Sequence, residues 1–577
     1  MNARQNPFFS VSTLPYQTPP FDQIEEQDFL PALQAGIEEK RQEIEAIALN
    51  SDAPSFFNTY EALERSGQLL NRVNLVFSAM TSAHTSPYLQ QVDEEIAPQL
   101  TALNDDIMLN RPLFSRLDAV YLQRAKLDAE SKRLVEVIWQ RFQLAGANLP
   151  EAQKQQLKTL NQEAARLGTR FTNKLLAATK AGGLVVDDLQ KLAGLSPADL
   201  AVAQAEAQAR GLEKHWLLVL QNTTQQPALQ SLADRATREA LFKAGVTRTE
   251  KGDENDTREL VLRLAQVRAE QARLLGFASY AEWKLQDQMA KTPKAALAFM
   301  HNIVPAARGR AEREAAAIQQ TIDQQQGDFT LQAWDWRFYA EQVRRARYDL
   351  DESQIKPYFE LNSVLQNGVF WAATQLYGIR FTPRQDLPVY HPDVQVYEIF
   401  DADETPLALF YTDFFKRDSK GGGAWMSNFV NQSTLLDSKP VIYNVCNYTK
   451  PPAGEPALLS WDDVITMFHE FGHTLHGLFA SQRYPSLSGT ETPRDFVEFP
   501  SQINEHWASE PAVFRNYARH YQTQALMPAE LHEKIVRAAT FNKGYEMSEL
   551  LAAALLDLHW HSLNRDSAPQ SVEGFEQ

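Results

Sequence analysis

From about Phe21 to about Tyr377, apolar residues recur three and four positions apart, the period of a helix with one buried face. Leu134, Val137, Ile138 and Phe142 form one such stripe beside the polar Lys132, Arg133, Glu136 and Arg141. Turn signals divide this region into separate helices: A-G-A-N-L-P at 145–150, K-A-G-G at 180–183, E-K-G-D-E-N-D at 250–256 and D-Q-Q-Q-G-D at 323–328. No repeat of solenoid period runs through it. Near Tyr390 the texture changes. V-Q-V-Y-E-I-F and L-A-L-F-Y-T-D-F-F flank the polar D-A-D-E-T-P and predict a β-hairpin, and P-V-I-Y-N-V-C-N-Y at 440–448 predicts a third strand. The fold class expected is mainly α with a small sheet embedded late in the chain.

Composition narrows the function. The 577 residues would suit about four domain-sized units, although helical chains often merge them into one body. Hydrophobic residues at 44% and charged residues at 22% are those of a globular chain with a sizeable core. A formal charge of −17 disfavours polyanionic partners, so no nucleic acid and no anionic membrane surface is expected. The first residues lack the basic start and apolar run of a secretory signal, and no stretch has membrane-spanning length, so a cytoplasmic location is expected. The single cysteine, Cys446, has no internal partner for a disulfide. D-S-K-G-G-G-A-W at 418–425 has Lys420 before the glycines, the reverse of a phosphate-binding loop, and reads as a plain loop.

The chemistry concentrates at 468–476, F-H-E-F-G-H-T-L-H, which holds three of the chain's 12 histidines. Ser460 with Asp463 predicts a capped helix start, and Val464, Phe468, Phe471, Leu475 and Leu478 form its apolar stripe. His469 and His473 avoid that stripe, as core histidines would not. Four residues apart, they project from one side of the helix and can reach one metal ion. Glu470 cannot point at the metal with them, but it can take the proton of the water that the metal activates. A hydrolytic zinc site needs a third protein ligand, and the candidates are His476, Glu491, Glu498 and Glu505. His476 lies about 10 Å along the helix axis from His469, too far for a comfortable tetrahedron. G-T-E-T-P-R-D-F-V-E-F-P-S-Q predicts a second helix, capped at Thr492, opened by Pro493, with Asp495 completing a capping box, and kinked at Pro500. Spacing alone does not choose between Glu498 and Glu505.

F-H-E-F-G-H-T-L-H-G-L-F, followed by G-T-E-T-P-R-D-F-V-E-F-P-S-Q-I-N-E-H-W, resembles the thimet-oligopeptidase family of zinc metallopeptidases, and in particular its bacterial peptidyl-dipeptidase branch. The resemblance runs from N-P-F-F-S-V-S-T-L-P-Y near the start to N-K-G-Y-E-M-S-E-L-L near the end. It implies His469, His473 and Glu498 as ligands of one Zn²⁺, with Glu470 as general base. It also implies a helical ellipsoid split by a deep channel that admits short unfolded peptides, with residues 1–380 forming helical walls and 381–577 the catalytic region. The implied product is a C-terminal dipeptide. An endo-acting oligopeptidase is the alternative within the enzyme class. Members of the family continue past the equivalent of Gln577 into a segment rich in glycine, tyrosine and histidine that helps stabilise the oxyanion. A shortened chain would then be a weak enzyme, or only a zinc- or peptide-binding protein.

Overall fold

The strand expected at 440–448 is an interior strand of a five-stranded sheet, paired on both edges, and that position explains its unbroken apolar run. In the computed structural model, which describes residues 4–576 except 221, 351, 418, 452, 453, 565 and 567–570, the sheet comprises β1 (Arg380–Pro383), β2 (Gln395–Phe400), β3 (Pro406–Phe415), β4 (Trp425–Val430) and β5 (Val441–Tyr448). Their order is β1-β2-β3-β5-β4. β2 and β3 are the predicted hairpin, antiparallel with Gln395 opposite Thr412. β5 runs parallel to β3, with Leu409 opposite Val441. Both β3 and β5 are buried on their two faces, hence near-continuous rather than alternating apolar sequence. Trp425 starts strand β4 instead of ending a loop, and of the predicted loop only Asp418 lies outside the described residues.

One face of the sheet meets α1 (Phe29–Ala48) and α2 (Gln68–Ala83), whose Phe29, Leu33, Val73 and Phe77 join Tyr411, Phe429 and Tyr443 in one core. On the other face, the ring of Phe471 lies 5.8 Å from Phe370, 5.9 Å from Phe381 and 5.7 Å from Phe410. Phe471 belongs to α3 (Trp461–Leu478), the helix of the histidine cluster. The predicted helix containing Leu134 spans Ala129–Ala145 and buries Leu134, Ile138 and Phe142, with Val135 rather than Val137 completing the stripe.

The chain forms two compact units, Met1–Pro150 with Asp287–Met289 and Glu352–Pro528, and Glu151–Gln286 with Ala290–Asp351 and Ala529–Gln577. The region beyond residue 381 therefore contributes to both. In the second unit, helices Pro293–Gln324 and Lys543–Ser562 approach so closely that a Cβ on Gly544 would lie 2.4 Å from Ala311 N. Glu314 accepts from Gly544 N (3.2 Å) and Tyr545 N (2.9 Å), a carboxylate at a helix start, where the helix dipole favours it. No helix among the described residues is long and apolar enough to cross a membrane.

Candidate metal centre

Ser460 caps α3 as its sequence predicts. Ser460 Oγ accepts from Asp463 N at 3.1 Å, and Asp463 Oδ2 accepts from Ser460 N at 3.0 Å. The apolar stripe, extended by Met467, is buried and directs the opposite side of the helix towards the site. The His469 and His473 rings stand 5.1 Å apart, nearly perpendicular at 83°.

The second helix starts later than its capping signals suggest. Residues 494–497 form a turn, and α4 runs Glu498–Ser509. Thr492 Oγ1 is buried and caps nothing, and Asp495 accepts from Met289 N (2.9 Å) instead of closing a capping box. Pro500 thereby falls in the first turn of α4, where a missing N–H costs no helix bond, so it starts the helix without kinking it.

This start places Glu498 over the two histidines. Its Oε2 lies 3.3 Å from His469 Nε2 and 3.1 Å from His473 Nε2. The ligand atoms of these three residues all lie within 4.8 Å of one another. Ser501 Oγ donates to Glu498 Oε2 (2.9 Å) and steadies the carboxylate. The other sequence candidates lie elsewhere. Glu505 pairs with the far nitrogen of His469, Oε1 to Nδ1 at 2.7 Å. Glu491 faces Arg141 at 3.3 Å. His476 packs near Phe496 with its Nδ1 buried and unbonded among the described residues.

The donor set fits a cation. A carboxylate only accepts, so the Glu505 contact puts the proton of neutral His469 on Nδ1 and leaves a lone pair at Nε2. That lone pair then faces Glu498 Oε2, a second acceptor, across 3.3 Å. Two acceptors in such contact repel unless a positive charge lies between them. Burial lowers the pKa of His473, despite the opposing pull of Glu498, and favours the neutral imidazole that binds metal.

Glu470 is 5% exposed, and its Oε2 has no hydrogen-bond partner among the described residues. Burial pushes its pKa up to about 7, opposed by His469 and reinforced by Glu498. A dication nearby would pull it down again.

Three residues that sequence reading passed over hold this geometry. Asn504 Nδ2 donates to Phe468 O (2.6 Å), tying α4 to α3. Asn444 of β5 donates to Glu470 O (3.3 Å) and accepts from Thr474 Oγ1 (3.0 Å), tying α3 to the sheet. Gly472 lets the helices touch: a Cβ there would lie 2.6 Å from Ser501 Cα. An asparagine inside an apolar strand was the one available signal, since a buried amide must find partners.

The chain is 63% identical over 573 residues to a dipeptidyl carboxypeptidase of Escherichia coli, covering 99% of this chain and 84% of that protein. It is 62% identical over 574 residues to a dipeptidyl carboxypeptidase of Salmonella typhimurium, with the same coverage of both. Oligopeptidase A of Escherichia coli is 31% identical over 560 residues, 95% of this chain and 82% of that protein. The model of Peptidase family M3 matches residues 228–577, which include α3 and α4. The resemblance read from the sequence is borne out, and the chain belongs to peptidase family M3.

Proposed function

We propose that this chain is a zinc metallopeptidase releasing dipeptides from the C-terminus of short peptides, with His469, His473 and Glu498 holding the metal and Glu470 acting as general base. When bound there, zinc supplies Lewis acidity, polarising the scissile carbonyl and acidifying a water. Glu470 takes the proton of the attacking water and passes it to the leaving amine. A carboxyl whose pKa can be moved towards neutrality suits both steps. Glu505 acts on His469 from behind, fixing its tautomer and keeping Nε2 turned towards Glu498. The observation that carries the reading is the buried, unpartnered Glu470 Oε2 beside three convergent ligand atoms. A carboxylate oxygen left this way is costly unless a reacting group completes it.

Release of dipeptides is supported by the two relatives above 60% identity, both dipeptidyl carboxypeptidases, against 31% for the oligopeptidase. Short peptides suit an acidic chain better than nucleic acid does. We place the enzyme in the cytoplasm, supported by its one cysteine, Cys446, which is buried and unpaired. The test is Glu470→Gln assayed on a defined peptide with the products identified by mass. Metal content is expected to stay at one per chain while turnover falls by roughly 10²- to 10⁴-fold. Retained turnover would remove Glu470 from the mechanism, and single amino acids or internal fragments as products would replace the dipeptide reading.

A further inference from the structure

Away from the candidate metal centre, the first unit gathers another group of titratable side chains where the end of α2, the β1–β2 connection and the turn after β3 meet. His84 ends α2 and His391 lies between β1 and β2, and their partly buried rings stand 5.3 Å apart at 67°. Beside them, Asp413 of β3 accepts from Arg417 Nη1 (2.8 Å), Lys420 Nζ (2.9 Å) and the Tyr390 hydroxyl (2.6 Å). Asp393 pairs with Lys450 at 2.7 Å. Four contacts tie the turn after β3 to the end of α2. Arg417 Nη2 donates to Ala83 O (2.5 Å), Thr85 N to Ser419 O (2.7 Å) and Gly421 N to Ser82 O (2.7 Å), and His84 Nδ1 lies 3.2 Å from Ser419 Oγ.

The surroundings of the two histidines disfavour further positive charge. Arg417 and Lys420 already bring two cations to the one carboxylate of Asp413, and the charge of Asp393 is met by Lys450. The end of a helix ordinarily favours a cation, but on α2 Arg417 holds that place through Ala83 O. His391 Nδ1 accepts from Asp393 N (3.2 Å), a bond that a proton on Nδ1 would abolish. Burial and then Arg417 lower the pKa of both histidines, and His84 lowers that of His391 further. Asp413 and Glu26 oppose this at His84, as do Asp393 and Asp413 at His391. We propose that His84 and His391 form an acid-sensitive latch, which holds residues 419–421 on the end of α2 while both imidazoles are neutral and releases them when both are protonated. In the released state each imidazole has its ordinary pKa of about 6.5 and takes up protons first as pH falls. The latched state therefore loses stability from about pH 6.5 down to its own lower values and changes no further below them. Asp413, held below the usual carboxylate range, stays charged through this window, so its ion pairs do not give way together with the latch. β4 begins shortly after Gly421, and its Met426 packs where a Cβ on Gly477 of α3 would lie 2.6 Å away, so release loosens a strand that packs on α3.

The test is amide hydrogen exchange of the stretch 416–424, read by mass spectrometry on the full chain with zinc present at pH 7.5 and 5.5 and corrected for the intrinsic pH dependence of exchange. Two unit charges at the 5.3 Å ring separation shift an equilibrium roughly 4-fold in water and roughly 200-fold at a near-surface dielectric, so protection is expected to fall about 10-fold at pH 5.5. Helix Ala129–Ala145, remote from the latch in the sequence, should keep its protection at both pH values. The double variant His84→Gln with His391→Gln should abolish the fall. His391→Lys, charged at both pH values, should show at pH 7.5 the low protection that wild type shows only at pH 5.5, and it decides the matter if the double variant fails to fold. Equal protection of the wild-type stretch at the two pH values, or a fall that persists in the double variant, overturns the latch. Loss of protection in helix Ala129–Ala145 together with the stretch would mark global unfolding and overturns it equally.

Discussion

Gly472→Ala should damage the metal centre without adding or removing any group that touches the metal. A Cβ at this position would lie 2.6 Å from Ser501 Cα, 2.8 Å from Pro500 O and 2.9 Å from Asn504 Cβ. Ordinary van der Waals contact begins at 3.4 Å, so the tightest of these contacts demands 3.4 − 2.6 = 0.8 Å of separation between α3 and α4. Two of the three atoms are backbone, so no side-chain rotation relieves the clash. Glu498 lies three residues before Ser501 and moves with it, whereas metal–ligand distances tolerate only about 0.2 Å. Overpacking costs about 1–3 kcal/mol, and replacing a helical glycine by alanine returns roughly 1 kcal/mol. The net destabilisation is therefore about 0–2 kcal/mol, while zinc affinity should fall about 10- to 100-fold, as when the support of a ligand is lost. Chelator competition measures the affinity and thermal unfolding of the metal-free protein measures the stability. Gly168→Ala is the control. It lies in helix Glu151–Ala181, where a Cβ meets nothing within 4 Å, and it should stabilise by about 0.5–1 kcal/mol with unchanged zinc binding. Wild-type zinc affinity in Gly472→Ala would refute the claim that close helix contact sets the position of Glu498.

Glu505→Ala removes the acceptor on His469 Nδ1 and should weaken zinc about 10- to 100-fold in the same chelator assay, whereas Glu505→Gln, whose amide oxygen still accepts, should recover most of it; equal affinity in all three proteins would mean that Glu505 does not orient the histidine. Asp413 is buried on β3, where burial opposes its charge but hydrogen bonds from Arg417, Lys420 Nζ (2.9 Å) and Tyr390 (2.6 Å) prevail and hold its carboxyl below the usual range. With the folded pKa depressed, this stabilisation is complete above the unfolded pKa of about 3.9 and is lost as pH falls through the folded value. Asp413→Asn should leave the fully buried Lys420 ammonium unpaired, cost about 3–5 kcal/mol at neutral pH and flatten the acid limb of the stability profile; an unchanged acid limb in urea-unfolding curves would exclude this network as its source.

The parts of the molecule legible in the sequence are those fixed by local period. The α3 stripe, its Ser460–Asp463 cap and the alternation that marks the β2–β3 hairpin each need only a few consecutive residues. β1 and β4 escaped because they are short edge strands, and β4 follows a glycine run that reads as loop. The start of α4 was misplaced because Thr492, Pro493 and Asp495 carry the composition of a helix start, yet Asp495 is drawn away by the amide of Met289, more than 200 residues earlier in the chain. A competitor that distant leaves no trace in a local pattern.

The same shift explains why the proposed third ligand could not be chosen from spacing. Glu498 and Glu505 are seven residues apart, about two helical turns, so both face α3 from one side of α4. Periodicity therefore ranks them equally, and what separates them is the height at which α4 crosses α3. That height is set by contacts with no periodic signature: Gly472 against Ser501, and Asn504 on Phe468 O. Together they bring the first residue of α4 level with the imidazole Nε2 atoms and its eighth level with His469 Nδ1. A slide of one turn, about 5.4 Å, would carry Glu498 out of reach of the Nε2 atoms and Glu505 off Nδ1. The two carboxylates thus divide the two nitrogens of one histidine, Glu498 at Nε2 where we propose the metal binds and Glu505 at Nδ1, and the packing of a glycine and an asparagine decides which does which.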